Sequence, residues 1–183
     1  DVGASCGVGV CAGGAKECNS AGTGTKCNTM PGGSNPQNGN EICDAKDNDC
    51  DGATDAADAA DLLANDLQLC ENQTGVCSGT TKPPGLCTAG SWDACGSAQY
   101  AAVHPDFEYM AETKCDGKDN DCDGKTDDAG GDGADLLTND LQSCENQSGV
   151  CNASTKPSAL CVAGAWTACT DAEYLAHAST YES

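Results

Sequence analysis

Residues 43–55 read CDAKDNDCDGATD and residues 115–127 read CDGKDNDCDGKTD, two copies of one acidic loop punctuated by cysteines. From Asp47 and from Asp119, carboxylates alternate with other residues, and a glycine follows the third of them. This is the order in which an EF-hand loop sets its calcium ligands, at positions 1, 3, 5, 7, 9 and 12, with glycine at 6 for the sharp turn. Counted from Asp47, the ligand positions are Asp47, Asp49, Asp51, Ala53 through its carbonyl, Asp55 and Asp58, with Gly52 at the turn. Counted from Asp119, they are Asp119, Asp121, Asp123, Lys125 through its carbonyl and Asp127, with Gly124 at the turn. Position 12 of the second loop is Gly130, so Asp132, Asp128 or a water must complete that shell. The coincidence of glycine and oxygen positions in both copies favours a calcium loop over a merely solvated polar turn.

Charge points the same way. The 183 residues carry 29 acidic side chains against 8 basic ones, all lysine, for a formal charge of -21 at pH 7. Self-repulsion at that charge opposes compaction unless cations neutralise it. Nucleic acid and anionic membrane surfaces require clustered Lys or Arg, so neither is an expected partner. With one Phe, two Trp and four Tyr, composition alone would suggest disorder. The 16 cysteines argue otherwise. An even count with no CxxC pair fits disulfides formed in an oxidising compartment better than a thiolate zinc site. The expected location is therefore extracellular or at a cell surface. No run approaches the roughly 18 apolar residues of a membrane span. The opening DVGASC does not read as a signal sequence and is expected to be a processed terminus or the edge of a fragment.

Downstream of the loops the two copies stay in step. ADLLANDLQLCENQTGVC, ending at Cys77, matches ADLLTNDLQSCENQSGVC, ending at Cys151, and GLCTAGSWDAC, ending at Cys95, matches ALCVAGAWTAC, ending at Cys169. The offset is 72 residues from Cys43 to Cys115 and 74 from Cys77 to Cys151, which places a two-residue insertion in the second copy. A fainter third copy opens the chain: CGVGVC at Cys6, then Cys18, then AGTGTKC ending at Cys27, with Gly24 where the later copies have Trp92 and Trp166. Such self-similarity marks a tandem array. The expected organisation is an N-terminal four-cysteine module and connection over 1–40, then two repeats of loop plus module over 41–112 and 113–183.

Each loop runs into helical spacing, through Ala59, Leu62, Leu63 and Leu67 in one copy and Leu136, Leu137 and Leu141 in the other. A second short helix is expected around Tyr100, ending by His104 because Pro105 follows. LCTAGSW and LCVAGAW read as tiny hairpins with an Ala-Gly turn and the Trp facing the core. The cysteine sets of the modules are Cys6, Cys11, Cys18, Cys27; Cys70, Cys77, Cys87, Cys95; and Cys144, Cys151, Cys161, Cys169. One of the three connectivities that four cysteines allow is expected to serve all three sets. Within the loops, spacing favours Cys43 with Cys50 and Cys115 with Cys122. The fold class expected is a small disulfide-rich tandem repeat, mostly irregular, with short helices, small β-hairpins and EF-hand-like calcium loops. Units this small and this poor in large apolar residues need such staples.

The CDGKDNDCDGKTDD run at Cys115, with the GVC and GxWxxC elements around it, resembles the MopE-type metal-binding repeats of secreted and surface bacterial proteins. The resemblance implies an extracellular calcium-binding protein with a structural or adhesive role. The family name is also associated with copper, but acidic oxygens are hard ligands that suit calcium and suit copper poorly. A soft copper site from His104, His177, Met30 and Met110 is disfavoured, because the two histidines fall at different places in the copies.

Other functions find less support. Trp92 and Trp166 could stack on sugars, though a Trp beside a cysteine in a tiny hairpin is more often core. Asn72, Asn146 and Asn152 open the sequons NQT, NQS and NAS, which makes glycosylation possible on a secreted chain. Nothing resembles an activated nucleophile, so no enzymatic activity is expected. Four-cysteine modules at both ends of the array leave repeat surfaces uncapped. Head-to-tail self-association into a filament, matrix or stalk is the expected use, with an adhesive or glycan-binding module of a larger surface protein as the alternative and a copper-binding surface protein as the second.

Overall fold

The computed structural model describes residues 1–127 and 140–180. Asp128, Gly130, Asp132, Leu136 and Leu137 lie outside the described residues. The chain divides into two compact units, residues 1–71 with 81–95 and residues 72–80 with 96–183. The division falls inside the second four-cysteine module, so the compact units and the sequence repeats are out of phase.

In the first unit, β1 (Ser5–Cys6), β2 (Gly14–Cys18) and β3 (Thr25–Cys27) form an antiparallel sheet in that order. Asn19 holds the β2–β3 turn, its Oδ1 accepting the amides of Thr23 and Gly24 at 3.1 and 3.3 Å. Residues 28–54 contain neither helix nor strand, so no helix leads into the first acidic loop. After it comes α1 (Ala59–Asn65), shorter than the leucine spacing suggests. Leu62 is completely buried, Leu63 is 39% exposed, and Leu67 lies beyond the helix and is 55% exposed. The helix stops because Asp66 leaves helical geometry, at φ -133°. Its Oδ2 accepts the Trp92 indole N–H at 2.9 Å and the Cys43 amide at 3.1 Å.

The hairpins form as expected. Strands β4 (Cys87–Thr88) and β5 (Ser91–Trp92) pair Cys87 with Trp92, and β6 (Cys161–Val162) and β7 (Ala165–Trp166) pair Cys161 with Trp166. Both central turn residues have positive φ, 48° and 79° at Ala89 and Gly90, the backbone of a two-residue type I′ turn. Gly90 is needed twice over, since a Cβ there would lie 2.7 Å from the Asp44 carbonyl carbon. The tryptophans are only half-buried. Each lends its indole N–H to an aspartate, Asp66 or Asp140, rather than filling a core.

The second unit contains α2 (Ser97–Val103), which ends at His104 as the following proline requires, and α3 (Asp171–His177). Thr170 caps α3, accepting the Ala172 amide at 3.3 Å, while Glu173 Oε2 accepts the Thr170 amide at 2.7 Å. Each helix buries a tyrosine whose hydroxyl accepts a module amide: Tyr100 from Asn72 at 3.0 Å and Tyr174 from Asn146 at 2.8 Å. Among the described residues, the fully buried apolar side chains are Leu62, Tyr100, Tyr174 and cysteines. Disulfides supply what an aliphatic core would.

Seven disulfides are formed, and their pattern overturns the local pairings expected from spacing. Cys43 bonds Cys87 rather than Cys50, and Cys115 bonds Cys161 rather than Cys122. Cys50 bonds Cys11 and Cys122 bonds Cys77. Within a module only the first and fourth cysteines join: Cys6 with Cys27, Cys70 with Cys95, Cys144 with Cys169. No set of four therefore closes on itself. The second cysteine of a module reaches the following loop, and the third reaches the preceding one. Cys18 and Cys151, expected to be bonded, are free.

A buried lysine completes each later module. Lys82 Nζ meets Glu71 Oε1 at 2.5 Å and the Asp93 carbonyl at 2.7 Å, and Lys156 repeats the pattern with Glu145 and Thr167. Lys82 is 7% exposed, so Lys82→Met should leave the Asp93 carbonyl without its donor and cost about 1–3 kcal/mol. A denaturant midpoint equal to that of the parent would show the clamp to be incidental.

Candidate metal centre

The loop backbone is set by its own carboxylates. Asp47 Oδ2 accepts the Gly52 amide at 3.1 Å, and Asp119 Oδ2 accepts the Gly124 amide at 3.0 Å. Asp51 Oδ1 accepts the Ala53 amide at 2.7 Å, and Asp123 Oδ1 accepts that of Lys125 at 2.8 Å. Gly52 and Gly124 take φ of 99° and 94°, which the turn requires. These bonds curl each loop so that alternate side chains point inward.

The first loop gathers two overlapping triads. Carboxylate oxygens of Asp47, Asp49 and Asp51 lie within 4.8 Å of one another, as do those of Glu41, Asp49 and Asp58. Asp49 is common to both, so the two triads together draw on five carboxylates. In the second loop, carboxylate oxygens of Glu112, Asp119 and Asp121 lie within the same distance of one another. Asp132 falls outside the described residues.

Asp55 and Asp127 face differently from their neighbours. Asp55 Oδ1 accepts the amides of Asp44 and Ala45 at 3.0 and 3.1 Å, beside the Cys43–Cys87 bond. Asp127 accepts those of Asp116 and Gly117, both at 2.9 Å, beside Cys115–Cys161. Each closes the mouth of its loop.

Glu41 and Glu112 are the residues that the loop pattern does not reveal. Glu41 is 0% exposed and Glu112 1% exposed. Both precede the motif, two residues before Cys43 in one copy and three before Cys115 in the other. That slip hides their equivalence in an alignment, yet both brace the loop in the same way. Glu41 Oε2 accepts the Asn48 amide at 2.9 Å and Glu112 Oε2 accepts the Asn120 amide at 3.0 Å. An acidic residue shortly upstream of the first loop cysteine in each copy was the available signal.

The donor set fits a hard cation. Among the described residues, the buried side-chain oxygens without a hydrogen-bond partner are Asp47 Oδ1, Asp58 Oδ2, Glu112 Oε1 and Asn120 Oδ1. All four belong to the two clusters or adjoin them. A buried oxygen with no donor is unfavourable, and a bound cation satisfies it. The histidines stand apart: His104 Nε2 contacts Thr80 Oγ1 at 2.8 Å, and His177 Nε2 contacts the Asn152 carbonyl at 3.0 Å. The cysteines grouped with Asp55 and Asp127 are disulfide-bonded and offer no thiolate.

The electrostatics reflect crowded carboxylates. Burial raises Asp58 above the ordinary carboxylate range, and Asp61, Asp51, Asp49 and Glu41 add to it. Burial pushes Glu112 up to about 7 against the pull of the Asn120 amide, with Glu108, Asp121 and Asp127 reinforcing the rise. A carboxyl raised by folding disfavours the fold once it ionises. The metal-free chain should therefore lose stability as pH rises from about 4.5 towards 7. Glu112→Gln should flatten that slope. Melting curves across this range in chelator check it, and equal slopes in the two proteins would count against it. Glu71 and Glu145, lowered to about 2 by Lys82 and Lys156, act in the opposite window, losing their contribution as pH falls below 4.5.

The sequons fare unevenly. Asn72 is half-buried, and its Nδ2 donates to the Cys122 carbonyl at 2.7 Å, a bond that a glycan would remove. Asn146 and Asn152 are exposed.

Fold and clusters together describe a disulfide-stapled repeat module with candidate metal-binding loops. Residues 35–56 and 99–128 match the family model Cu-binding MopE, described as a "Putative metal-binding motif". Both acidic segments thus match the MopE-type motif. No curated protein and no solved structure matches the chain.

Proposed function

We propose that the chain is a secreted or surface-displayed calcium-binding protein whose role is structural and not enzymatic, a stretch of stalk, matrix or filament. The observation that carries this reading is the repeated burial of carboxylate oxygens that have no donor, in a shell of hard ligands without histidine or thiolate. Calcium takes six to eight such oxygens in flexible geometry. Glu41, Asp47, Asp49, Asp51 and Asp58 would hold one ion, and Glu112, Asp119 and Asp121 would anchor the other. Affinity is expected in the extracellular range, about 10⁻⁴ to 10⁻³ M, where the ion is a permanent part rather than a signal.

The seven disulfides support an oxidising, extracellular setting, and no helix among the described residues is long and apolar enough to cross a membrane. Metal analysis of natively purified protein tests the reading: calcium near two equivalents supports it, and copper in its place overturns it. Head-to-tail assembly, if it is the use made of the array, should appear as filaments by electron microscopy in calcium. Dispersed monomers would leave a spacer or adhesive module of a larger surface protein.

A further inference from the structure

The second cysteine of a module docks on an acidic loop in a repeated way. Cys11 and Cys77 end the turns Gly9–Cys11 and Gly75–Cys77 and bond Cys50 and Cys122. The turn glycine lies flat against the loop. A Cβ on Gly9 would come within 2.1 Å of the Asp47 carbonyl oxygen, and one on Gly75 within 2.3 Å of that of Asp119. The amides of Val10 and Val76 donate to these same oxygens at 2.9 and 3.0 Å. In the second module, Asn72 Nδ2 and Thr74 Oγ1 also donate to the Cys122 carbonyl, both at 2.7 Å.

The third module repeats this face with no loop upon it among the described residues. Its turn, Gly149–Cys151, has the same glycine conformation, φ 56° against 53° and 50°. A Cβ on Gly149 would meet nothing within 4 Å. Asn146 and Ser148 stand where Asn72 and Thr74 do, and the Ser148 amide donates to Asn146 Oδ1 at 3.0 Å, as the Thr74 amide does to Asn72 Oδ1. Val150 is 48% exposed, whereas Val10 and Val76 are half-buried under their loops. Cys151 is free.

We infer that Asn146, Ser148, Gly149, Val150 and Cys151 form a preformed receptor for a further acidic loop of the Asp-Asn-Asp-Cys type, supplied by another segment of the same repeat kind. The Val150 amide takes the carbonyl of the first aspartate, Asn146 and Ser148 take the carbonyl of the cysteine, and Cys151 takes its sulfur. The chain's own loops cannot serve, because Cys43, Cys50, Cys115 and Cys122 are already bonded. The two thiols join with loss of two protons and two electrons. A low-molecular-weight disulfide such as oxidised glutathione accepts the electrons and leaves as two thiols. Cys151 is only 3% exposed, in a cluster with Cys144, Cys169 and Tyr174. Its sulfur must turn outward, so the loop has to dock before the bond forms, and this selects against adventitious thiols. The inference uses main-chain and disulfide geometry and does not depend on which metal the loops hold.

The test offers the intact oxidised chain a synthetic peptide of the sequence 115–127 carrying Cys115→Ser, so that its single thiol is at the position of Cys122. The buffer contains calcium and a glutathione redox couple. A peptide of the same composition in scrambled order is the control. The expected result is a mixed disulfide mapped to Cys151 by mass spectrometry, formed at least tenfold faster than with the scrambled peptide. Gly149→Ala should abolish that preference and Ser148→Ala should weaken it, the latter without disturbing the turn. Equal rates for the two peptides, attachment at Cys18 instead, or a Cys18–Cys151 bond between two copies as the main product would each overturn the inference.

Discussion

Chelation of calcium from the intact, disulfide-bonded chain is expected to lower its melting temperature by roughly 10–20 °C relative to 10 mM calcium. Ten millimolar is a hundred times a dissociation constant of about 10⁻⁴ M, at which a bound ion stabilises a site by about 2.7 kcal/mol. Each compact unit carries one carboxylate cluster, and for a unit of fewer than about 100 residues 1 kcal/mol corresponds to about 4–8 °C. The loss is expected to exceed that of ordinary surface carboxylates, because the metal-free state leaves Asp47 Oδ1, Asp58 Oδ2 and Glu112 Oε1 buried without a donor. Scanning calorimetry with and without chelator measures it. A curve indifferent to calcium would reduce both loops to polar turns, whatever their spacing.

The second large effect lies in the bond that fastens a loop to the module before it. Replacing Cys77 and Cys122 together by serine opens a ring of 45-residue separation, and chain entropy alone puts the cost at about 4 kcal/mol. The same substitution loosens the Asp119 carbonyl from the Val76 amide, which holds the first residue of the second loop in place. Calcium affinity at that loop is therefore expected to fall at least tenfold, with the first loop unchanged. Isothermal titration resolves the two sites. If both affinities survive together, the staple positions nothing at the metal centre.

Much of this arrangement was legible in the residues. The paired loops, their turn glycines, the Ala-Gly hairpins and the helix stop at His104 each follow from a local rule that the neighbours do not override. The cysteine pairing was not, because it is a tertiary fact. Six residues separate Cys43 from Cys50, but the chain between them curls around its own carboxylates. One sulfur is thereby sent to the hairpin at Cys87 and the other to the turn at Cys11. Glu41 and Glu112 escaped for a related reason: they join the cluster from outside the motif, and a one-residue slip conceals their correspondence. Asp66 and Asp140 also carried no visible signal, since a tryptophan partner 26 residues away cannot be read from spacing.

The crossing of disulfides between neighbouring segments has a consequence for durability. The seven rings overlap in succession, from Cys6–Cys27 through Cys11–Cys50, Cys43–Cys87, Cys70–Cys95, Cys77–Cys122 and Cys115–Cys161 to Cys144–Cys169. Every peptide bond between Cys6 and Cys169 is thus spanned by at least one sulfur bridge. A protease that cuts the backbone once anywhere in that stretch leaves a single covalent molecule, and a pulling force at the break passes to the cystine beside it. The array behaves like chain mail, in which one severed link does not part the sheet.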